Sequence, residues 1–89
     1  MRDELIADAV GLYAAYGSFD PEKERLFLGL REGRYVGGRL ENYIVDPEKQ
    51  AAAVDDVLER MRVLIDEHVG TEPFALIPLL MNGDWRFTG

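Results

Sequence analysis

Apolar positions recur along this chain in two rhythms. Between residues 3 and 16, Leu5, Ile6, Val10, Tyr13 and Tyr16 return at steps of three or four, which predicts an amphipathic helix. Asp3 and Glu4 suit its positive end, and Gly17 follows its last apolar position, where a left-handed cap residue is common. A stronger stripe fills residues 47 to 69. Val54, Val57, Leu58, Met61, Leu64, Ile65 and His68 lie on one side, and Asp55, Asp56, Glu59, Arg60, Asp66 and Glu67 on the other. Asp46 supplies a helix cap, Pro47 the first helical position and Glu48 a first-turn acid. Such a helix is about 34 Å long at 1.5 Å per residue. Gly70 ends it.

Elsewhere the rhythm shortens. Leu26, Leu28 and Leu30 alternate, as on one face of a strand. This predicts strands near 24–31 and 34–39, joined by a turn at Arg31-Glu32-Gly33, and a third near 40–45, with Gly37-Gly38 as a bulge or sharp bend. A helix capped by Asp20-Pro21, with Leu26, Phe27 and Leu30 as its stripe, is the alternative. Gly29 counts against it, because a mid-helix glycine costs about 1 kcal/mol relative to alanine. Residues 73 to 87 predict a hairpin. Its first strand is the apolar run Phe74 to Met81, Asn82-Gly83 is a type I′ turn signal, and Asp84 to Phe87 return. Pro78 confines that strand to an edge, a bulge or its own start.

The expected order is therefore α-β-β-β-α-β-β, a small antiparallel sheet with two helices packed on one face, an α+β fold. Eighty-nine residues make one domain, 1–89. The tetrapeptide Asp-Pro-Glu-Lys occurs at 20–23 and at 46–49. It reads as the chemistry that starts helices and turns rather than as a duplication.

Charge changes this picture. Seventeen acids against ten bases give a net charge of −7, which weighs against a bulk grip on nucleic acid. The charges are also segregated. Residues 1–24 carry Asp3, Glu4, Asp8, Asp20, Glu22 and Glu24 against Arg2 and Lys23, and the long helix is acidic too. Arg25, Arg31, Arg34 and Arg39 fall in the stretch read as a hairpin. The acidic N-terminus lacks the basic start and apolar stretch of a signal peptide, and the apolar run from Phe74 is too short to span a bilayer. The expected location is the cytoplasm, with no membrane partner.

Catalytic chemistry is hard to build from this chain. There is no cysteine, so thiolate, zinc-knuckle and iron–sulfur chemistry are excluded. Ser18, Thr71 and Thr88 are the only hydroxyl residues of the serine and threonine type, and no nucleophile elbow surrounds Ser18. His68 is the single histidine and reads as a structural residue in a helix's last turn. Asp55, Asp56 and Glu59 lack the converging oxygens of a cation loop. No glycine-rich phosphate cradle is present. Hence no catalytic, cofactor-binding or metal residue is assigned, no cofactor is expected, and the chain is expected not to be an enzyme.

Surfaces for partners are easier to find. Asp55, Asp56 and Glu59 offer an acidic helix face to a basic protein. Arg31, Arg34 and Arg39 offer planar forks for acids or phosphates. Trp85 is of a type enriched in binding hot spots. The apolar run from Phe74 needs cover on both faces, which predicts a homodimer or a partner protein. The leading expectation is a small acidic, non-enzymatic protein-interaction module: an inhibitor, an immunity or antitoxin-type factor, or a chaperone-like factor. In element order alone it is similar to the acidic secretion chaperones. The alternative is a small ligand-binding or enzymatic domain with a carboxylate/arginine pocket at a dimer interface. Nucleic-acid contact through Arg25, Arg31, Arg34 and Arg39 ranks third, against the overall charge.

Overall fold

A computed structural model of the chain describes residues 1–83 and residue 85. The first helix, α1, spans Arg2–Tyr16 and buries Leu5, Ile6, Ala9, Val10 and Tyr13. It stops at Gly17, whose φ of 77° is left-handed and whose N–H bonds the Tyr13 carbonyl, as the pattern predicts. A second helix, α2, covers Pro21–Leu28. The strand expected near 24–31 is therefore mostly helix. The capping alternative prevails for a local reason: the Asp20 carboxylate accepts from the Glu22 N–H, and Pro21 begins the helix. The apparent alternation is not realised in burial, since Leu28 is fully buried while Leu26 is exposed. Gly29 is no interior glycine but the left-handed cap, with φ at 90°.

The sheet is real but minimal. Strands β1 (Leu30–Arg31) and β2 (Arg34–Tyr35) pair antiparallel, Leu30 opposite Tyr35 and Arg31 opposite Arg34. Glu32 and Gly33 form the turn with φ of 53° and 75°, the doubly left-handed pattern that suits tight hairpins. The second strand thus ends at Tyr35 rather than 39. The third, expected near 40–45, is replaced by a short 3-10 helix, Arg39–Asn42, which buries Leu40. Gly37 and Gly38 do make the expected sharp bend, and it lies directly against Gly29.

The long helix, α3, runs Pro47–Asp66, capped by Asp46 accepting from the Lys49 N–H. Both copies of the repeated tetrapeptide therefore start helices. Ala51, Val54, Val57, Leu58, Met61 and Ile65 of α3 are buried, and the other elements assemble around them into one core. The expected end at 69 shortens by about a turn: the helix closes at Asp66, and His68 Nδ1–H donates to the Leu64 carbonyl at 2.8 Å. The last helix, α4, spans Pro73–Met81, where a strand was expected. An unbroken apolar run carries no period to separate the two states. Pro73 at the first helical position, and the burial of Leu76 and Leu80 four apart, decide it. Pro78 sits inside the helix and removes one ladder bond. Asn82 has right-handed angles (φ −83°, ψ −7°), so Asn82-Gly83 is not a type I′ turn. The expected return strand at 84–87 falls largely outside the described residues.

The fold is α+β with a small antiparallel sheet, in the order α-α-β-β-α-α plus the 3-10 turn. Among the described residues four helices, rather than two on one face of a sheet, supply most of it. The likeness in element order to the secretion chaperones lapses with that order.

Candidate functional site

Helices α1 and α4 stand side by side, and an open groove of about 600 Å³ runs along their outer seam. Ile6, Ala7, Val10, Gly11 and Ala14 line it from α1. Pro73, Phe74, Ile77 and Met81 line it from α4. The small residues Ala7, Gly11 and Ala14 lie four and three apart, on one helix face, and keep the α1 wall low. Phe74 stands on the other wall, 75% exposed, and Asp3 and Glu72 are the acids that border the groove. Exposing this much apolar side chain costs free energy unless something covers it, and contiguous apolar patches of this kind mark interaction sites.

Across the low ridge of Ala7 and Gly11 lies a smaller slot of about 340 Å³ between α1 and α2. Asp8, Leu12, Lys23, Glu24 and Phe27 complete its lining. Pro21, Glu24 and Leu28 form the buried stripe of α2, which brings Glu24 to 3% exposure. Its Oε1 meets no donor. Burial first, and then hydrogen bonding to and repulsion from the Asp8 carboxylate, push the Glu24 pKa up to about 8. Near neutrality the Glu24 carboxyl is therefore mostly protonated. Lys23 also lines the slot, but its Nζ pairs elsewhere, 3.8 Å from Asp20 and 5.0 Å from the centre of the Tyr16 ring.

The sequence-predicted residues gather mostly elsewhere. Asp55 and Glu59 meet Arg25, whose Nε lies 2.6 Å from Asp55 and whose Nη2 lies 2.8 Å from Glu59. Glu22 takes the remaining nitrogen of the same guanidinium. Burial lowers the Arg25 pKa, but the bonds to Glu59, Asp55 and Glu22 outweigh it and hold the group firmly charged. Hydrogen bonds from Arg25 and then Arg62 hold the Glu59 carboxyl below its usual range. These contacts tie α2 to α3. Asp56 is outside that knot, exposed and paired with Arg60 at 3.0 Å.

Arg31 and Arg34 are exposed at directly opposed positions of the hairpin, and Arg39 lies with its guanidinium carbon 5.1 Å from the centre of the Phe27 ring. Arg25 belongs to α2 and not to that group. Trp85 is half-buried against the core, donating from Nε1 to the Leu80 carbonyl at 2.5 Å, with Arg60 over its ring. A third concavity, of about 820 Å³, opens between α2, the hairpin and α3 beside Arg25, Arg31 and Asp55. Among the described residues no group of three acids or histidines is arranged to hold a metal ion.

Sequence reasoning missed the groove and the slot. Two signals point to them: the Ala7, Gly11, Ala14 spacing, which marks a close-approach face, and Glu24, which sits in step with Pro21 and Leu28. Among the described residues no helix is long and apolar enough to cross a membrane.

The model of a family of unknown function, DUF7005, matches residues 1–69. That span takes in α1, α2, the hairpin and α3. No curated protein and no solved structure matches the chain.

Proposed function

We propose that this chain, which belongs to the DUF7005 family of unknown function, is a non-enzymatic protein-interaction module whose α1–α4 groove receives the apolar face of a basic amphipathic helix. The groove itself carries the reading: it is long, open and apolar, with acids at its border. Helix-in-groove recognition uses this geometry, with anchors at helical spacing supplying affinity. The net charge of −7 favours a basic partner and speeds encounter with it. An inhibitor, an immunity or antitoxin-type factor and a chaperone-like factor all work through such a surface. The carboxylate/arginine pocket is the second reading, favoured by the concavity beside Arg25. It is weaker, because that guanidinium is already saturated by three carboxylates.

The test is a titration of the protein with a synthetic amphipathic helix of leucine and lysine, followed by amide chemical shifts. Shifts clustered at Ala7, Gly11, Ala14 and Ile77, abolished by Ile77→Glu, support the reading. Equal binding of a leucine–glutamate peptide, or shifts confined to the hairpin arginines, overturns it. A second copy of this chain is the competing occupant. Sedimentation showing a dimer that Ile77→Glu dissociates would replace the foreign helix with that homodimer.

A further inference from the structure

We infer that the slot between α1 and α2 receives one basic side chain of the bound helix, its cationic head seated against Asp8 and Glu24. This rests on the groove reading above and extends it to a specificity-determining anchor. A carboxyl group buried to 3% exposure beside a second carboxyl, with an oxygen that meets no donor, is costly as it stands. Among the described residues neither Asp8 nor Glu24 has a cation as partner, and a cation is what the pair can accept. The chain's own candidate, Lys23, is turned to Asp20 and the Tyr16 ring, and Arg39 lies over Phe27 without an acid partner of its own among the described residues. The position also fits. The groove and the slot share Ala7 and Gly11, and a side chain added at Gly11 would meet only open space. A helix lying in the groove therefore needs only one long basic side chain to cross that ridge. Phe27, 45% exposed at the slot, offers an aromatic surface to the same cation.

Seating a cation beside Glu24 offsets its burial and its repulsion from Asp8, which favours the ionised form, so the Glu24 carboxyl gives up its proton. Binding is then linked to pH. The leucine–lysine peptide binds more tightly as pH rises from 6.5 to 8, toward about tenfold per unit, and levels off above that. Calorimetry in phosphate and in Tris, which differ in protonation heat, reports close to one proton released. Glu24→Gln keeps a neutral, hydrogen-bonding group in place, so it folds. It weakens the peptide by about tenfold or more and removes both the pH slope and the proton release, whereas Glu67→Gln, an equal change of charge at an exposed residue outside the slot lining, does neither. Peptide bound in the groove with no pH slope, no proton release and unaltered affinity in Glu24→Gln overturns the anchor and leaves the groove standing. Absence of peptide binding to the unmodified protein at every pH overturns the groove and the anchor together.

Discussion

Gly29 and Gly38 cross backbone to backbone with no space for a side chain on either. A Cβ built on Gly38 would lie 2.6 Å from the Gly29 nitrogen, and one on Gly29 would lie 2.5 Å from the Gly37 carbonyl. The Val36 N–H donates to the Gly29 carbonyl at 2.7 Å, and the Tyr35 hydroxyl donates to the Gly38 carbonyl at 2.8 Å, so the bend is held from both sides. Gly38→Ala should cost about 3 kcal/mol or more, because backbone cannot yield as a flexible side chain can. Urea unfolding measures it. Gly33→Ala, which meets no atom but must hold φ at 75°, should cost only about 1 kcal/mol.

Tyr13 pins the loop between α3 and α4. Its hydroxyl donates to the Thr71 carbonyl at 2.6 Å and accepts from the Gly70 N–H at 3.1 Å. Tyr13→Phe keeps the buried ring and strips both bonds, which should cost about 1–2 kcal/mol. Limited proteolysis should then cut between residues 69 and 72 sooner than in the unmodified chain.

Arg25 joins α2 to α3 by bonding Asp55, Glu59 and Glu22 at once, and Arg62 bonds Glu59 as well. Arg25→Leu should cost about 1–2 kcal/mol, a figure kept modest because the carboxylates remain partly in water. It should also change the acid limb. The folded Glu59 pKa lies below its unfolded value near 4.5, so its stabilisation is present above that pH and lost as pH falls through the folded value. The leucine variant should lose less stability between pH 5 and 3 than the unmodified protein, by circular dichroism melts.

Glu24 acts in the opposite sense. Its folded pKa, about 8, exceeds the unfolded 4.5, so its contribution is fully present below pH 4.5 and is lost as pH rises through 8. Stability should therefore decline across that window and level off above it. Glu24→Gln should remove the decline, matching the unmodified protein near pH 5 and exceeding it by about 4 kcal/mol at pH 8.5. A parallel decline in the glutamine variant would show that another group is responsible.

How much of this was written in the sequence depends on the length of each signal. Helix α3 repeats its stripe over five turns behind a complete Asp-Pro-Glu start, and its position follows directly. Helix α2 has two turns, so three alternating leucines outweighed a cap that in fact decides the conformation. The run from Phe74 is apolar at nearly every position, which erases the difference between a strand and a helix. Taken as a strand, that run leaves the groove beside α1 without its second wall. Asp55 and Glu59 mark an acidic face in the sequence, yet their partner Arg25 lies 30 and 34 residues away, in a stretch whose local pattern suggests a hairpin. Contacts between segments, not local preference, pair such charges.

Packing α4 on α1 brings the first helix of the chain beside the last described one, with Asp3 and Met81 bordering the same groove. Any polypeptide joined ahead of α1 leaves from the mouth of the proposed binding surface. A fused domain or purification handle at that end would sit over the seam as a lid and compete with whatever belongs there. A handle inserted at the Glu32-Gly33 turn, away from that seam, would leave it open.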